Sequence, residues 1–408
     1  MLERSKCMNV PEIRFKEFCD YYSDVLLEKC LSVSNKKNNK LEYKKEDALS
    51  VSDEFGVVNQ IEHLGRSYTG NNISTYKILN KGQIVYTKSP LKLKPFGIIK
   101  VNNNKPGIVS VLYAIYDVKE GFDPNYISVY FEPNFRLNRY LLPLINKGAK
   151  NTINISDETA LSGEVHIPLS YAEQQKIASY FQSLDSLIQT TSKELTSLKQ
   201  IKAASLQSMF PQEGETVPKV RFKGFKEGWE KEKLGNLFKE RIENNINGEL
   251  LSVTINNGII KASDNGRFDN SNNDKSHYKV VKIGDIVYNT MRMWQGASGY
   301  SAYEGIVSPA YTVIIPQEQV FPLFFAYLFK TQSLINRFRI HSQGLTTDTW
   351  NLKFAGFSII EVCFPKSKLE QQKIASYFCN LDKQISLQTQ RLEKLKQIKA
   401  ACLDKMFV

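Results

Sequence analysis

The chain has 408 residues, 42% of them hydrophobic and 24% charged, which excludes a collagen-like or wholly disordered polymer and allows two cores of roughly 150 to 200 residues each. Its net charge of +12 favours a polyanionic partner, and the charge is spread evenly: residues 1–172 carry 23 basic and 19 acidic groups, residues 211–369 carry 20 and 16. That suits two similar surfaces on one long polyanion better than a single basic tail. No apolar run reaches the roughly 18 to 20 residues that span a bilayer, and Met1–Val10 lacks the apolar stretch of a signal peptide, so a cytoplasmic protein with no membrane partner is expected. The six cysteines (Cys7, Cys19, Cys30, Cys363, Cys379, Cys402) form no CxxC pair and read as reduced thiols.

In chain order, the first domain opens with Pro11-Glu-Ile-Arg-Phe-Lys-Glu-Phe18. The β-branched and aromatic runs Ile84–Tyr86 and Ile108–Tyr116 predict strands. Asp117-Val-Lys119 has the Asp-x-Lys spacing of a metal-dependent nuclease, without the upstream Pro-Asp or the clustered carboxylates that would hold a metal. Asp123-Pro-Asn-Tyr126 resembles an adenine-methyltransferase box but lacks its second proline and any Phe-x-Gly-x-Gly loop, so it reads as a helix-opening turn. Residues 173–210 contain no proline or glycine, and Ile177, Phe181, Leu184, Ile188, Leu195 and Leu198 recur at helical steps. The stripe is narrow, as a coiled-coil seam is. Pro211 ends this helix, and 211–218 is a short hinge.

The pattern then starts again. Pro218-Lys-Val-Arg-Phe-Lys-Gly-Phe225 matches the opening segment; Gly82-Gln-Ile-Val-Tyr86 returns as Gly284-Asp-Ile-Val-Tyr288, Gly107-Ile-Val-Ser110 as Gly305-Ile-Val-Ser308, and Leu137-Asn-Arg-Tyr140 as Ile335-Asn-Arg-Phe338. Ile286–Tyr288 and Tyr311–Ile315 predict strands, Phe321–Ile340 a helix, and Asn257-Gly258 and Asp264-Asn-Gly266 turns. Glu173-Gln-Gln-Lys-Ile-Ala-Ser-Tyr-Phe181 recurs as Glu370–Phe378, and Lys199-Gln-Ile-Lys-Ala-Ala204 as Lys396–Ala401. The alignment is gapless from 173–210 to 370–407, with 23 identities in 38 positions. The second stripe is Ile374, Phe378, Leu381, Ile385, Leu392 and Leu395. Thr191 and Gln388 interrupt the stripes at equivalent places. A helix of ~38 residues is ~57 Å long and needs a partner along its length; the obvious partner of each copy is the other.

These paired Glu-Gln-Gln-Lys-Ile-Ala helices, each ending in Lys-Gln-Ile-Lys-Ala-Ala, and the doubled Pro-x-x-Arg-Phe-Lys-x-Phe segment resemble the specificity subunits of type I restriction-modification systems, over essentially the whole chain. The resemblance implies a mixed α/β fold with a pseudo-two-fold internal repeat: target recognition domain 1 over 1–170, long helix 1 over 171–210, the linker 211–218, target recognition domain 2 over 219–368 and long helix 2 over 369–408, the helices antiparallel. It implies that the chain is not itself an enzyme. It further implies that the chain reads double-stranded DNA for two methyltransferase subunits and, through the complex, motor-nuclease subunits, with S-adenosylmethionine, ATP and Mg2+ belonging to those partners. One departure stands out: Gly228-Trp229-Glu230 in the second half faces Asp20-Tyr21-Tyr22-Ser23 in the first.

Base edges are read by side chains on supported loops while lysine and arginine meet phosphates, so the loop after each central strand is the leading candidate. In the second half this is Asn289–Gly296, extending to Tyr300: Arg292 suits guanine, Asn289 and Gln295 suit adenine, and Trp294 packs on sugar or a thymine methyl; the alternative is that Met293 and Trp294 are core and Arg292 meets only phosphate. In the first half the loop is Thr87–Lys94, with Lys88, Lys92 and Lys94 toward phosphates. Arg66 with Tyr68, and Thr346 with Thr347 in Gln343–Thr347, are further loop candidates, with a plain solvated loop as the favoured reading of each. No Gly-Lys dipeptide offers a phosphate loop, and His63, His166, His277 and His341 are scattered without metal-ligand spacing. The rival reading is a coiled-coil adaptor whose globular halves bind proteins.

Overall fold

The computed structural model describes residues 10–89, 93–147, 153–255, 257–265, 274–347 and 349–408. The chain forms two units: Met1–Thr191 with Arg391–Val408, and Ser192–Gln390. Each unit therefore takes part of both long helices, where the sequence suggested helices standing apart from the domains.

Within the units the internal repeat is reproduced in the central sheet and the strand pairs around it, while among the described residues the first unit adds the pair Asn146–Lys147 with Ile153–Asn154. The first unit has an antiparallel sheet in the order Leu31–Val33, Ala114–Val118, Ile84–Tyr86, Ile99–Val101; the second has Phe238–Glu240, Tyr311–Pro316, Ile286–Asn289, Ser298–Tyr300. Around each sheet lie an equivalent hairpin, Leu49–Ser52 with Gly56–Asn59 or Leu251–Thr254 with Gly258–Lys261, and an equivalent strand pair, Lys77–Leu79 with Gly107–Val109 or Lys279–Val281 with Gly305–Val307. The repeated glycine that begins Gly-Ile-Val-Ser is explained here. A Cβ on Gly107 would lie 2.2 Å from the Asp47 carbonyl oxygen, and one on Gly305 2.3 Å from that of Glu249.

Both faces of each sheet are covered, which is why the central strands read as apolar runs rather than alternations. Ile84 and Tyr86 join the helix-side core while Val85 and Ile115 join the hairpin-side core; Ile286 and Tyr288, against Val287 and Val313, divide in the same way. Two sequence expectations need correction. Ile108–Tyr116 is not one strand, because Tyr113 N–H bonds back to the Ser110 carbonyl (3.1 Å) and turns the chain between two pairings. Phe321–Ile340 is two helices, Pro322–Leu328 and Gln332–Ile340. Tight bonds from Lys330 and Thr331 N–H to the Tyr327 and Leu328 carbonyls close the first, and the extended Thr331 begins the second.

The long helices are Tyr171–Ser208 and Lys368–Lys405. In the first unit Tyr180 meets Cys402 (3.3 Å) and Asp185 meets Lys399 (2.6 Å). In the second Ser205 meets Tyr377 (2.9 Å), Lys202 meets Asp382 (2.5 Å) and Glu194 accepts from Gln388 (3.0 Å). Numbers rise on one helix as they fall on the other, so the helices run antiparallel in both units. The stripe residues are shared between seam and domain. Ile177 and Phe181 lie in the first core with Phe407, and Ile374, Phe378 and Leu381 in the second with Phe210. Leu184 and Leu195 are buried, while Ile188, Leu198, Ile385, Leu392 and Leu395 are half-buried. Thr191 is also buried, and Gln388 half-buried. Among the described residues no helix is long and apolar enough to cross a membrane.

Candidate nucleic-acid interface

The most repeated residues of the sequence do structural work. Arg14 donates from Nε and Nη2 to the two carboxylate oxygens of Glu173 (2.7 and 2.8 Å), and Arg221 does the same to Glu370 at the same distances. Both glutamate side chains are 1% exposed, so each opening segment is clamped to the start of a long helix by a buried bidentate pair. The third donor resolves the mismatch between the halves: Tyr22 Oη reaches Glu173 (3.4 Å) where Trp229 Nε1 reaches Glu370 (3.3 Å). Gln174 and Gln371 complete the junction. Each donates to a proline carbonyl, of Pro168 or Pro365, and accepts the N–H of Asp123 or Phe321.

In the second unit the structure brings two candidate loops together. Leu352 N–H donates to the Thr290 carbonyl (2.9 Å), and the Trp294 ring meets Trp350 edge-on at 5.2 Å. Met293 is fully buried and holds the loop down; Trp294 is half-buried, its Nε1 donating to the Met291 carbonyl (3.0 Å). Arg292 is exposed and reaches Gln295 only at 3.5 Å. Asn289, Gln295 and Tyr300 are half-buried, the Asn289 side chain accepting from Met291 N–H (3.0 Å), and Thr346 and Thr347 are exposed. Between the loops an open cleft is lined by Thr290, Met291, Asn351, Lys353 and Phe354, with the Glu240–Lys279 ion pair (3.3 Å) on its wall. Asn351 and the exposed Lys353 were missed in the sequence; their proximity to Gln343–Thr347 was the available signal.

The first-unit loop is different. Thr87 is buried, its hydroxyl accepting from Ile98 N–H (3.0 Å). Lys88 adopts left-handed backbone, φ +48°, which is uncommon outside glycine. Its ammonium is taken by Asp157 and the Ile155 carbonyl. Burial works against the Asp157 anion, yet hydrogen bonds from Lys88 and Lys77 prevail and hold its carboxyl below the ordinary value. Lys94 donates to the Glu132 carbonyl (2.8 Å) and pairs with Asp53 (3.3 Å). Thr87, Lys88 and Lys94, three of the sequence candidates, thus all make contacts within the first unit that hold the loop. Lys92 lies outside the described residues. Arg66 stacks over Tyr68 (4.6 Å to the ring centroid), both exposed, a free cationic and aromatic pair suited to a nucleic-acid backbone.

The motifs with superficial catalytic spacing are committed elsewhere. Asp123 caps the helix Pro124–Tyr130 by accepting Tyr126 N–H (2.9 Å), and complete burial raises the Tyr126 phenol well above its ordinary pKa. Asp117 accepts from Gln83 (2.6 Å) and Lys119 donates to the Glu28 carbonyl (2.7 Å). Among the described residues no group of three or more His, Cys, Asp or Glu is placed to hold a metal ion.

Residues 226–397 match the family model of the type I restriction modification DNA specificity domain. No curated protein sequence matches the chain. Among solved structures, the type I restriction-modification S subunit from M. genitalium is similar with a TM-score of 0.58 at 12% identity, covering 98% of this chain and 99% of its own. The HsdS subunit from Thermoanaerobacter tengcongensis gives 0.44 at 13% identity, over 95% and 96%. A chain from a type I R-M system solved for complex assembly and conformational transition gives 0.46 at 12%, over 95% and 97%. The family match falls on the second half of the chain, and the first half repeats the order of its central sheet and its buried clamp.

Proposed function

We propose that this chain is the DNA-reading subunit of its complex, each unit reading one half of a bipartite duplex target. The two long helices set the spacer and provide docking surface for two methyltransferase subunits. The observation that carries the reading is the second-unit face on which two polar loops meet, with Arg292, Lys353, Thr346 and Thr347 exposed beside the half-buried Trp294. Cations on such a face neutralise phosphates while asparagine, glutamine and arginine reach base edges. Adenine methylation, translocation and cleavage, with S-adenosylmethionine, ATP and Mg2+, are assigned to the methyltransferase and motor-nuclease partners.

The test is to express the chain with its methyltransferase and map methylated adenines across a genome. Two short specified sequences separated by a fixed unspecified spacer are expected. A single contiguous motif, or methylation without sequence preference, would contradict the proposal.

A further inference from the structure

Among the described residues the second unit exposes several large apolar side chains, Ile242 and Ile340 among them, and Leu345 is the most exposed. Leu345 is fully exposed, although burying a leucine is worth ~1.5–3 kcal/mol and a polar residue would serve a solvated loop better. Its loop is stiff. Gln343 and Asn351 exchange backbone hydrogen bonds (3.0 and 2.8 Å), and the Thr346 carbonyl accepts from Thr349 N–H (2.9 Å) and Trp350 N–H (3.1 Å). Thr349 Oγ1 adds a third bond to that carbonyl (2.9 Å). Gly344 has φ +147°, and a Cβ there would lie 2.6 Å from the Thr349 backbone, so the turn that lifts Leu345 accepts only glycine. At the base of the loop Trp350 is braced against Trp294, and Arg292, Thr346, Thr347 and Lys353 are exposed around it.

We propose that Leu345 is an apolar wedge that enters the duplex at a base-pair step of the half-site read by this unit, unstacking and bending it. The inference rests on the DNA-reading assignment above and deepens it. A wedge needs an apolar tip, a backbone that does not yield when pushed, and cations that hold the phosphates on either side; the loop supplies all three. Unstacking replaces base–base contact with base–leucine contact, so the apolar surface left open in the free protein is covered in the complex. The first unit also presents a largely exposed leucine, Leu93, whose carbonyl is pinned by Asn134 Nδ2 (2.6 Å).

The test uses the complex with its methyltransferase and a duplex carrying the mapped target, labelled at both ends for energy transfer. The parent should bend the duplex by an angle of about 20–90°. Leu345→Ala, whose side chain touches no core, should abolish most of that bend and weaken specific binding by about tenfold, with an unchanged salt dependence because no phosphate contact is lost. Leu345→Met should restore the bend. Weaker binding with the parental bend would overturn the wedge in favour of a groove contact such as a thymine methyl; an unbent parental complex, or an alanine variant identical to the parent, would overturn it outright. A parent that binds no DNA at all would remove the DNA-reading assignment along with it.

Discussion

Replacing Arg221 by alanine strips the buried Glu370 carboxylate of its cation and of two of its three side-chain donors, leaving Trp229 Nε1 at 3.3 Å. Glu370 is 1% exposed and Arg221 12%, so water does not take the vacated place cheaply. The Glu370 hydrogen bond raises Arg221 above its ordinary pKa, which marks the same interaction from the other side. Breaking one side of a buried pair costs about 3–5 kcal/mol, a large share of the ~5–15 kcal/mol that holds a domain together. The assay is built in: the three tryptophans, Trp229, Trp294 and Trp350, all lie in the second unit, so tryptophan fluorescence reports that unit alone. With a urea m-value of about 2–3 kcal/mol/M, Arg221→Ala should lower the fluorescence midpoint by about 1–2 M. Arg14→Ala, acting on the equivalent clamp in the first unit, should leave that transition nearly in place while shifting the far-ultraviolet dichroism. Replacing Arg221 and Glu370 together by methionine should cost much less than Arg221→Ala. A midpoint shift below about 0.3 M for Arg221→Ala would refute the reasoning that the clamp holds the unit closed.

Three further outcomes are expected. Arg292→Ala and Lys353→Ala should each flatten the salt dependence of DNA binding by about one counterion in a gel-shift titration, whereas Lys88→Ala, which breaks the internal pair with Asp157, should lower first-unit stability with the salt slope unchanged. Lys330 is held by the Gly296 and Ser298 carbonyls, and burial, with Lys202 nearby, pushes its ammonium down to about 8. Unfolded lysine titrates near 10.4, so between those values the unfolded state binds more protons and second-unit stability should rise with pH, by about 1–3 kcal/mol; fluorescence-detected urea midpoints of parent and Lys330→Met at pH 7.5 and 10 check this, and an equal change in both would refute it. Matched insertions of four helix-forming residues near Thr191 and Gln388 add ~6 Å and just over one turn to each helix, so the mapped spacer should lengthen by one or two base pairs with the specified bases unchanged; an unchanged spacer in an active variant would show that the helices do not set it.

The repeat was legible because it is written in identities: the gapless helices, the Arg-Phe segments and the Gly-Ile-Val strands all reappear as equivalent elements. The segment after Ile286–Asn289 was legible as a loop because polar residues follow an apolar strand. The fate of the first-unit lysines was not, since the carboxylate that consumes Lys88 is Asp157, 69 residues away, and charge pattern along a chain carries no information about such closure. The equivalence of Tyr22 and Trp229 was hidden for a related reason: what the site requires is a hydrogen-bond donor on an aromatic ring facing a buried glutamate, and two dissimilar residues meet it. The stripes also misled in part. Helical periodicity reports that a face is buried without saying against what, and Ile177, Phe181, Ile374 and Phe378 face domain cores as much as a partner helix.

The most direct test of the proposed function exchanges residues 219–368 for the matching region of a type I specificity subunit and maps methylated adenines with the methyltransferase expressed beside the chain. Independent reading by two units predicts a hybrid target: one half replaced by the donor's half, the other half unchanged. A change in both halves, or in neither, would contradict it.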